Sequence, residues 1–244
     1  MKNNYDDKEV FDKYVILREN PLSYNEVVEM PELKRNLPEL KNKSILDIGC
    51  GMGHLIEHMM EYTPKKITGV DLSTRMIDYC LTKESFNDAE FKHGDFMDIE
   101  FNQKFDVIVS SLVFHYIEDF NSLSQKLGDI MNKDGTLLFS MEHPIVTAGK
   151  APETTPRNIK LKMDHYFDES ERTRYWRGLD NTIDKYHHTV STIFNNLIQN
   201  GFVVEKVTEL GQTKEVFELY SEEKIEKLSH YPPFIMIRAR KKGC

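Results

Sequence analysis

A short apolar run enters a glycine-rich turn and then an amphipathic segment at Ser44-Ile45-Leu46-Asp47-Ile48-Gly49-Cys50-Gly51-Met52-Gly53-His54-Leu55-Ile56-Glu57-His58-Met59-Met60. The apolar run has the length of a buried strand, and the segment after the glycines has helical spacing. Glycines between a strand and a helix let the backbone approach a ligand closely, and the start of the helix offers free N–H groups. The stretch therefore predicts a strand, a tight turn and a helix that form a binding site for a cofactor.

The residues on either side of the glycines narrow the choice of cofactor. A dinucleotide fingerprint needs G-x-G-x-x-G or G-x-G-x-x-A, and His54 stands where the third small residue belongs. Asp47 precedes the glycines, and its charge is unfavourable beside a pyrophosphate but suits a ligand that carries an ammonium group. The alternative for Asp47 is a turn residue that accepts hydrogen bonds from nearby backbone N–H groups. An acid buried at the edge of a sheet needs a partner, which favours the ligand.

Strand-like and helix-like segments alternate after this turn. Further strands are predicted at 66–70, 89–92, 105–109, 135–141, 202–207 and 233–238. One helix is predicted to begin after Ser73 as its N-cap, and two more are predicted at 121–131 and 188–200. Gly201 is expected to end the last of these helices. Alternating strands and helices, with apolar strands, predict a parallel α/β sheet that is covered by helices on both faces.

Two segments depart from this alternation. Residues 1–43 have helical spacing interrupted by three prolines and predict an N-terminal helical arm, whereas 144–185 are rich in Pro, Thr, Asp and aromatic residues without a clean period. The predicted core therefore comprises 44–143 and 186–244. Long loops inside compact domains are commonly functional, so we interpret the insertion at 144–185 as a lid over the site of an organic ligand, with a packed structural flap as the alternative.

Composition restricts the partners and the compartment. The 40 acidic and 32 basic residues give a formal net charge of -8, which argues against a nucleic-acid partner. Nowhere do about 18 apolar residues run together, so no membrane insertion is expected. The three cysteines have no paired spacing and predict reduced thiols without a metal site. We expect a cytoplasmic protein, either a monomer or a homodimer.

Taken in order, these segments resemble the class I S-adenosylmethionine-dependent methyltransferases, especially the small-molecule branch that includes ubiquinone and menaquinone C-methyltransferases. The matching motifs, over roughly residues 40–142, are Ile45-Leu46-Asp47-Ile48-Gly49-Cys50-Gly51-Met52-Gly53, Gly69-Val70-Asp71-Leu72-Ser73-Thr74-Arg75-Met76, His93-Gly94-Asp95-Phe96, Phe105-Asp106-Val107-Ile108-Val109-Ser110-Ser111, His115-Tyr116-Ile117-Glu118-Asp119 and Gly135-Thr136-Leu137-Leu138-Phe139-Ser140. This ordered series is far more specific than a glycine motif alone. The resemblance implies a Rossmann-like, seven-stranded, mostly parallel sheet whose last strand is antiparallel and lies beside the fifth.

The resemblance also implies a set of cofactor-binding residues. The amino-acid end of S-adenosylmethionine would lie at Asp47, Gly49, Cys50 and Gly51, and the ribose hydroxyls would lie at Asp71. The adenine ring would pack on Leu72 and Met76, and its polar edge would meet Asp95 and the Phe96 backbone N–H. The methionine portion and the methyl group would lie near Ser110 and His115. Each residue also has a structural alternative. Leu72 and Met76 could be ordinary core, Asp95 could be a turn acid after Gly94, and Asp71 could cap the following helix, although Ser73 is better placed for that.

Methyl transfer is a direct displacement at a carbon bound to a sulfonium, so alignment and desolvation can supply much of the rate. His143 follows the fifth predicted strand, where open α/β sheets place ligands, and is the candidate base or acceptor-binding group, with a structural histidine as the alternative. Ser110-Ser111-Leu112-Val113 differs from the Asn/Asp-Pro-Pro-Tyr/Phe motif of many N-methyltransferases. We predict methyl transfer to a small aromatic or apolar acceptor. The alternatives are a silent cofactor-binding module, a tRNA or protein methyltransferase, and a nicotinamide-dependent oxidoreductase.

Overall fold

The computed structural model describes residues 5–150, 162–176 and 178–243. The strands are β1 (Ser44–Ile48), β2 (Lys66–Asp71), β3 (Ala89–His93), β4 (Phe105–Ser111), β5 (Met131–Glu142), β6 (Gly149–Lys150), β7 (Lys162–Met163), β8 (Glu171–Trp176), β9 (Asn181–Tyr186), β10 (Phe202–Leu210) and β11 (Phe234–Lys241). The α-helices are α1 (Lys8–Glu19), α2 (Met30–Arg35), α3 (His54–Met60), α4 (Thr74–Leu81), α5 (Phe120–Ile130), α6 (Pro144–Thr147), α7 (Val190–Gln199), α8 (Lys214–Leu219) and α9 (Glu222–Ser229). A π-helical turn covers Asn25–Glu29, and 3₁₀ turns cover Glu84–Phe86 and Phe114–Tyr116.

Seven of the strands form one sheet in the order β3-β2-β1-β4-β5-β11-β10. Strands β1 to β5 pair in parallel, whereas β11 lies between β5 and β10 and is antiparallel to both. This topology confirms the predicted Rossmann-like sheet with its last strand antiparallel beside the fifth. The strand order reverses at β1, because β2 lies on one side of it and β4 on the other. Open α/β sheets bind ligands at such a switch point.

The core lies on both faces of this sheet, as expected for parallel strands that are buried on both sides. On one face Ile45 packs with Ile56 of α3, and on the other Leu46 packs in a cluster with Leu127 of α5 and Leu197 of α7. The strand, turn and helix predicted around the glycines are present with the expected order. The glycine loop is therefore held between β1 and α3, whose apolar faces are both buried.

The predicted helix boundaries are reproduced within a few residues. Ser73 is the N-cap of α4, as predicted, and its hydroxyl accepts from the Met76 N–H at 3.3 Å. The helix predicted at 188–200 begins slightly later, at Val190, because Thr189 supplies the cap. Gly201 follows α7 with φ +82°, the left-handed conformation that favours glycine.

The insertion contains a β-hairpin that the sequence pattern did not reveal. Strands β8 and β9 pair antiparallel, and alternate residues of β8 are exposed and half-buried. The half-buried positions of β8 hold Arg172, Arg174 and Trp176 instead of aliphatic residues, so the sequence lacks the usual alternation of apolar and polar types. The hairpin and α1 share a small apolar cluster formed by Val10, Leu179 and Ile183. Residues 151–161 of the predicted insertion lie outside the described residues.

In the part of the chain that the structure describes, no helix combines the length and the apolar character needed to cross a membrane.

Candidate active site

A cavity of about 650 Å³ lies at the carboxyl ends of the central strands. Ile48 at the end of β1, Asp71 at the end of β2 and Ser111 at the end of β4 all contribute to its wall. The N-terminal arm and the β8–β9 hairpin supply further walls, through residues such as Tyr14 and Trp176. The cavity therefore occupies the switch point of the sheet, with two additional segments around it.

The glycine loop forms one wall of the cavity, and its conformation depends on glycine. Gly49 has φ +70°, and a Cβ added there would lie 2.2 Å from the Cγ2 of Val113. Gly51 has φ +53°, but the nearest atom to an added Cβ is the Tyr14 hydroxyl oxygen at 4.0 Å. The space beside Gly51 belongs to the cavity, so its backbone can approach a ligand directly.

Asp71 connects the glycine loop to the start of α4. Its Oδ2 accepts from the Gly51 N–H at 2.8 Å, and its Oδ1 accepts from the Ser73 N–H at 2.8 Å. Burial raises the pKa of Asp71, while these two backbone N–H groups act in the opposite direction. Each carboxylate oxygen has a second lone pair available for another donor. Asp71 can therefore accept from two ligand hydroxyls while keeping its backbone contacts.

Asp47 is buried in the same wall, and one of its carboxyl oxygens has no partner among the described residues. Its side chain is 1% exposed, and no hydrogen-bond partner for its Oδ1 exists among the described residues. Burial raises the pKa of Asp47 to about 8, and the negative charges of Asp71 and Glu29 contribute. A buried carboxyl oxygen without a partner is unfavourable unless a ligand supplies one. The ammonium group of S-adenosylmethionine fits this environment, because it carries the opposite charge.

The residues predicted to contact the adenine also line the cavity. Leu72, Met76, Asp95 and Phe96 occur together in its wall, as does Cys50 from the glycine loop. Met76 and Phe96 are 2% and 4% exposed and thus belong equally to the core. Asp95 Oδ1 accepts from the Met97 N–H at 2.9 Å, a contact that shapes the turn after β3.

Two predicted residues lie outside the cavity wall. The Ser110 side chain is fully buried, and its hydroxyl donates to the Ile48 carbonyl at 2.9 Å; the next residue, Ser111, lines the cavity instead. His143 is the N-cap of α6, where its Nδ1 accepts from the Ile145 N–H at 3.1 Å and its Nε2 lies 3.0 Å from Glu209 Oε1. The structure thus engages both ring nitrogens of His143 away from the cavity. The preceding residue, Glu142, is the one that lines the cavity.

His115, unlike His143, lines the cavity. It is 2% exposed, and its Nδ1 accepts from the Glu142 backbone N–H at 3.2 Å. Burial lowers the pKa of His115 to about 3, so the ring is neutral at physiological pH. A backbone N–H can only donate, which assigns the ring proton of His115 to Nε2. His115 therefore offers a hydrogen-bond donor rather than a base.

A charged cluster beside His115 was not predicted from the sequence. Lys185 Nζ lies 2.5 Å from Glu142 Oε1, and the two side chains are 9% and 17% exposed. The Lys185 ammonium also lies 5.4 Å from the ring centroid of Trp176 and 5.7 Å from that of Tyr116. Burial alone raises the pKa of Glu142, but Lys185, His115 and Arg174 outweigh it and hold the pKa at about 2. The second carboxylate oxygen, Oε2, is buried without a partner among the described residues.

The N-terminal arm contributes two charged residues near the sheet. Arg18 is 7% exposed, lines the cavity and has one nitrogen 3.2 Å from Glu26 Oε1, while its Nη1 is buried without a partner among the described residues. Glu29 Oε1 accepts from the hydroxyls of Ser111 at 3.0 Å and Ser140 at 2.6 Å. These contacts hold the arm against the ends of β4 and β5. Sequence spacing could not identify them, because the partners are far apart in the chain.

The described residues contain no group of three or more His, Cys, Asp or Glu side chains arranged to hold a metal ion.

Comparison with known proteins agrees with this geometry. A family model described as a methyltransferase domain matches residues 39–195. A Haemophilus influenzae protein of uncharacterised function is 38% identical over 251 residues, which cover 97% of this chain and 96% of that protein. A malonyl-[acyl-carrier protein] O-methyltransferase from Acetivibrio thermocellus is 32% identical over 139 residues, which are 55% of this chain and only 49% of that enzyme.

Solved structures support the same family. The crystal structure of an S-adenosylmethionine-dependent methyltransferase from Mesorhizobium loti is similar with a TM-score of 0.76 at 28% identity, covering 87% of this chain and 97% of that one. The family match spans more than half of the chain, and the sheet topology and cofactor motifs agree with it. The chain therefore belongs to the methyltransferase-domain family and is an S-adenosylmethionine-dependent methyltransferase with a Rossmann-like fold.

Proposed function

We propose that the protein methylates a small organic acceptor, with an aromatic or apolar body, that binds beneath the N-terminal arm and the β8–β9 hairpin. The observation that carries this proposal is a single cavity whose wall includes both the glycine loop and the hairpin residues Trp176 and Ile183. Its volume of about 650 Å³ is typical of small-molecule sites. The net charge of -8 is a further argument against tRNA.

Two oppositely charged side chains are candidates to bind the amino-acid end of the cofactor. Asp47 suits the ammonium group, because its buried Oδ1 has no partner among the described residues. Arg18 suits the carboxylate for the same reason, since its Nη1 is buried and also unpartnered within the described part of the chain. A guanidinium and a carboxylate form strong charge-assisted hydrogen bonds. We infer that these two side chains, from β1 and α1, hold the two charges of the methionine portion.

The nucleoside end follows from the remaining wall residues. Asp71 would accept from the ribose hydroxyls through the free lone pairs of its two oxygens. Leu72 and Met76 would pack on the adenine, and Asp95 with the Phe96 backbone would meet its polar edge. Cys50, Gly49 and Gly51 would lie along the methionine portion. Ser110 would act indirectly, through its hydrogen bond to the Ile48 carbonyl at the start of the loop.

When it is bound, S-adenosylmethionine supplies an electrophilic methyl group on its sulfonium. The chain positions the acceptor in line with that methyl and excludes water from it, and no covalent intermediate with the protein is needed. We propose that the Nε2–H of His115 donates to the acceptor, since His115 lines the cavity and its neutral ring has a low pKa of about 3. For His143 we propose the capping role that its hydrogen bonds indicate.

We further propose that residues 1–43 and 144–185 act as closing segments around a core of 44–143 and 186–244. In the arm, Asp6 Oδ1 accepts from the Ser73 hydroxyl at 2.6 Å, and the hydroxyls of Tyr5 and Tyr116 lie 3.3 Å apart. These contacts join the arm to the core at residues of the cavity wall, Ser73 and Tyr116. Their release would open a path for the cofactor, and their formation would enclose it.

The buried thiols of Cys50 and Cys80 are free, which suits a reducing, cytosolic environment.

The proposed function is tested with the purified protein, labelled S-adenosylmethionine and cell extract separated by size. We expect calorimetry to show binding of S-adenosylhomocysteine, and label to enter a metabolite that gains one methylene in mass. Label in the tRNA or protein fraction would contradict the small-molecule acceptor. Binding without turnover in any fraction would indicate the silent module.

A further inference from the structure

One face of the β8–β9 hairpin is both cationic and apolar. The register pairs Arg174 with Ile183 and Trp176 with Asn181, and since side chains alternate along strands, Arg174, Trp176, Ile183 and Lys185 share a face. All four line the cavity. Asp184 also reaches the wall, but it is at an alternate position, where it accepts from the Thr173 hydroxyl at 2.6 Å. The cavity is therefore bordered here by two cations and two large apolar side chains.

The two cations share a single buried carboxylate. Lys185 is held by Glu142 at 2.5 Å, and Arg174 donates to the Val146 carbonyl at 2.7 Å, a neutral acceptor that does not compensate its charge. His115, on the other side of Glu142, is neutral because burial lowers its pKa to about 3. Of the other acids in the wall, Asp47, Asp71 and Asp95 belong to the proposed cofactor end, and Asp184 lies at an alternate position of the hairpin, where it accepts from the Thr173 hydroxyl. A partly buried surplus of positive charge is unfavourable until an anion pairs with it.

We infer that the methyl acceptor is an organic acid whose carboxylate binds Arg174 and Lys185 while its apolar body packs on Trp176 and Ile183. The inference rests on the proposed function, because it assigns the chemistry of the acceptor in the same cavity. Guanidinium groups bind carboxylates in a bidentate manner, which fixes orientation as well as affinity. Here that orientation would hold the acceptor between the hairpin and the methyl group near His115.

The molecule contains a built-in reporter for this test. Trp176 is the only tryptophan of the chain, and its ring lies 5.4 Å from the Lys185 ammonium. Its fluorescence therefore reports on the cavity end where the acid would bind. The probes are three molecules of one shape and different charge: 3-phenylpropionate, 3-phenylpropionamide and 3-phenylpropylamine. Each is titrated with and without S-adenosylhomocysteine.

We expect the acid to bind at least about tenfold more tightly than the amide, because the amide cannot form charge-assisted hydrogen bonds with either cation. In Arg174→Gln this preference should fall to about twofold or less, since one of the two cations is removed. The matched control is Arg172→Gln, on the same strand, where Arg172 donates to the carbonyls of His165 and Asp168 and lies outside the cavity wall. That variant should retain the full preference.

A second variant guards against a folding defect. Lys185→Met alone would leave Glu142 buried without its cation, so it is combined with Glu142→Gln, and thermal melting verifies that the double variant folds. It should also lose the preference for the acid. Any one of four results overturns the inference. They are equal binding of the acid and the amide, no saturable binding of the acid, tighter binding of the amine than of the acid, and an unchanged preference for the acid in Arg174→Gln. Absence of S-adenosylhomocysteine binding in calorimetry would instead count against the proposed function.

Discussion

The carboxylate of Asp71 accepts the Gly51 N–H at 2.8 Å, so the end of β2 is tied directly to the glycine loop that follows β1. The same carboxylate accepts the Ser73 N–H at the start of α4. One side chain thus joins the glycine loop to the start of α4, and in the proposed function it also accepts from the ribose hydroxyls. Changes at Asp71 should affect the cofactor more than they affect the sheet, whose strands pair through their own backbones.

Asp71→Asn should weaken S-adenosylhomocysteine binding by about tenfold to a hundredfold, because hydrogen bonds to a charged acceptor are worth about 1.5–3 kcal/mol. The amide retains one acceptor oxygen but loses the charge and the second acceptor. Calorimetry measures the loss directly. Asp78→Asn, an exposed acid on α4, is the control and should bind normally. Equal affinities for the two variants would reject the ribose role of Asp71.

Cofactor binding should depend on pH through Asp47, whose pKa in the free protein is raised to about 8 by burial and neighbouring acids. The ammonium of S-adenosylhomocysteine favours the ionised carboxylate, so binding at pH 7 should release a proton from Asp47. Affinity should rise as the pH increases from 6 towards 8 and level off above that. Calorimetry in buffers of different ionisation enthalpy detects the released proton.

Asp47→Asn should abolish this pH dependence and weaken binding of S-adenosylhomocysteine. The same variant should stabilise the cofactor-free protein. A carboxyl whose pKa is raised on folding loses stability as the pH rises through the folded value, here about 8, and asparagine cannot ionise. Thermal melting between pH 6 and 9 should show the largest gain at the alkaline end. A wild-type binding curve that is flat over this range would contradict the assignment.

Arg18→Met should weaken binding of S-adenosylhomocysteine by about tenfold through loss of a charge-assisted contact to the carboxylate. Methylthioadenosine, which lacks the amino-acid portion, should bind this variant and the wild type equally. Arg35→Met serves as the control, because Arg35 is exposed on α2 and pairs with Glu32 and Glu215 outside the cavity. If both ligands lose affinity together in Arg18→Met, the side chain supports the arm and not the carboxylate.

Gly49→Ala should be much more harmful than Gly51→Ala. Both residues have positive φ, which costs about 1–2 kcal/mol for an L-residue. Only at Gly49 does the added Cβ also overlap a side chain, 2.2 Å from Val113 Cγ2. Melting temperatures should therefore fall further for Gly49→Ala, and Val113→Ala should restore part of the loss. Equal destabilisation of the two variants would mean that the steric contact does not matter.

His143→Ala should lower stability by about 1 kcal/mol, the usual cost of losing an N-cap, and leave turnover of the folded enzyme nearly unchanged. His115→Gln, in contrast, should lower kcat with the true acceptor while S-adenosylhomocysteine still binds. The comparison needs chemical denaturation for stability and a methyl-transfer assay for rate. Loss of turnover in folded His143→Ala would restore His143 as the base.

Two of the predicted residues differ from the residues in the cavity wall by one position. Ser110 was predicted from the family resemblance and His143 from its place after the fifth strand, whereas Ser111 and Glu142 line the cavity. Side chains alternate between faces with a period of two, so a shift of one residue changes the face completely. A motif identifies the end of a strand but does not determine which of two neighbouring side chains faces the cavity.

What the sequence by itself determined is the order of strands and glycines from which the cofactor half of the proposed site is predicted. Asp47 and Asp71 lie at the carboxyl ends of two neighbouring parallel strands, and the glycines follow the first of them. The carboxyl ends of such strands meet at one edge of the sheet. Local spacing was enough for that inference. Only the tertiary structure decided which residues meet at the proposed acceptor half, because Glu142, Arg174 and Lys185 come from β5 and from a hairpin whose inward face is charged. Their contacts join segments that are distant in the chain, and such pairings depend on how the hairpin and the arm pack over the cavity.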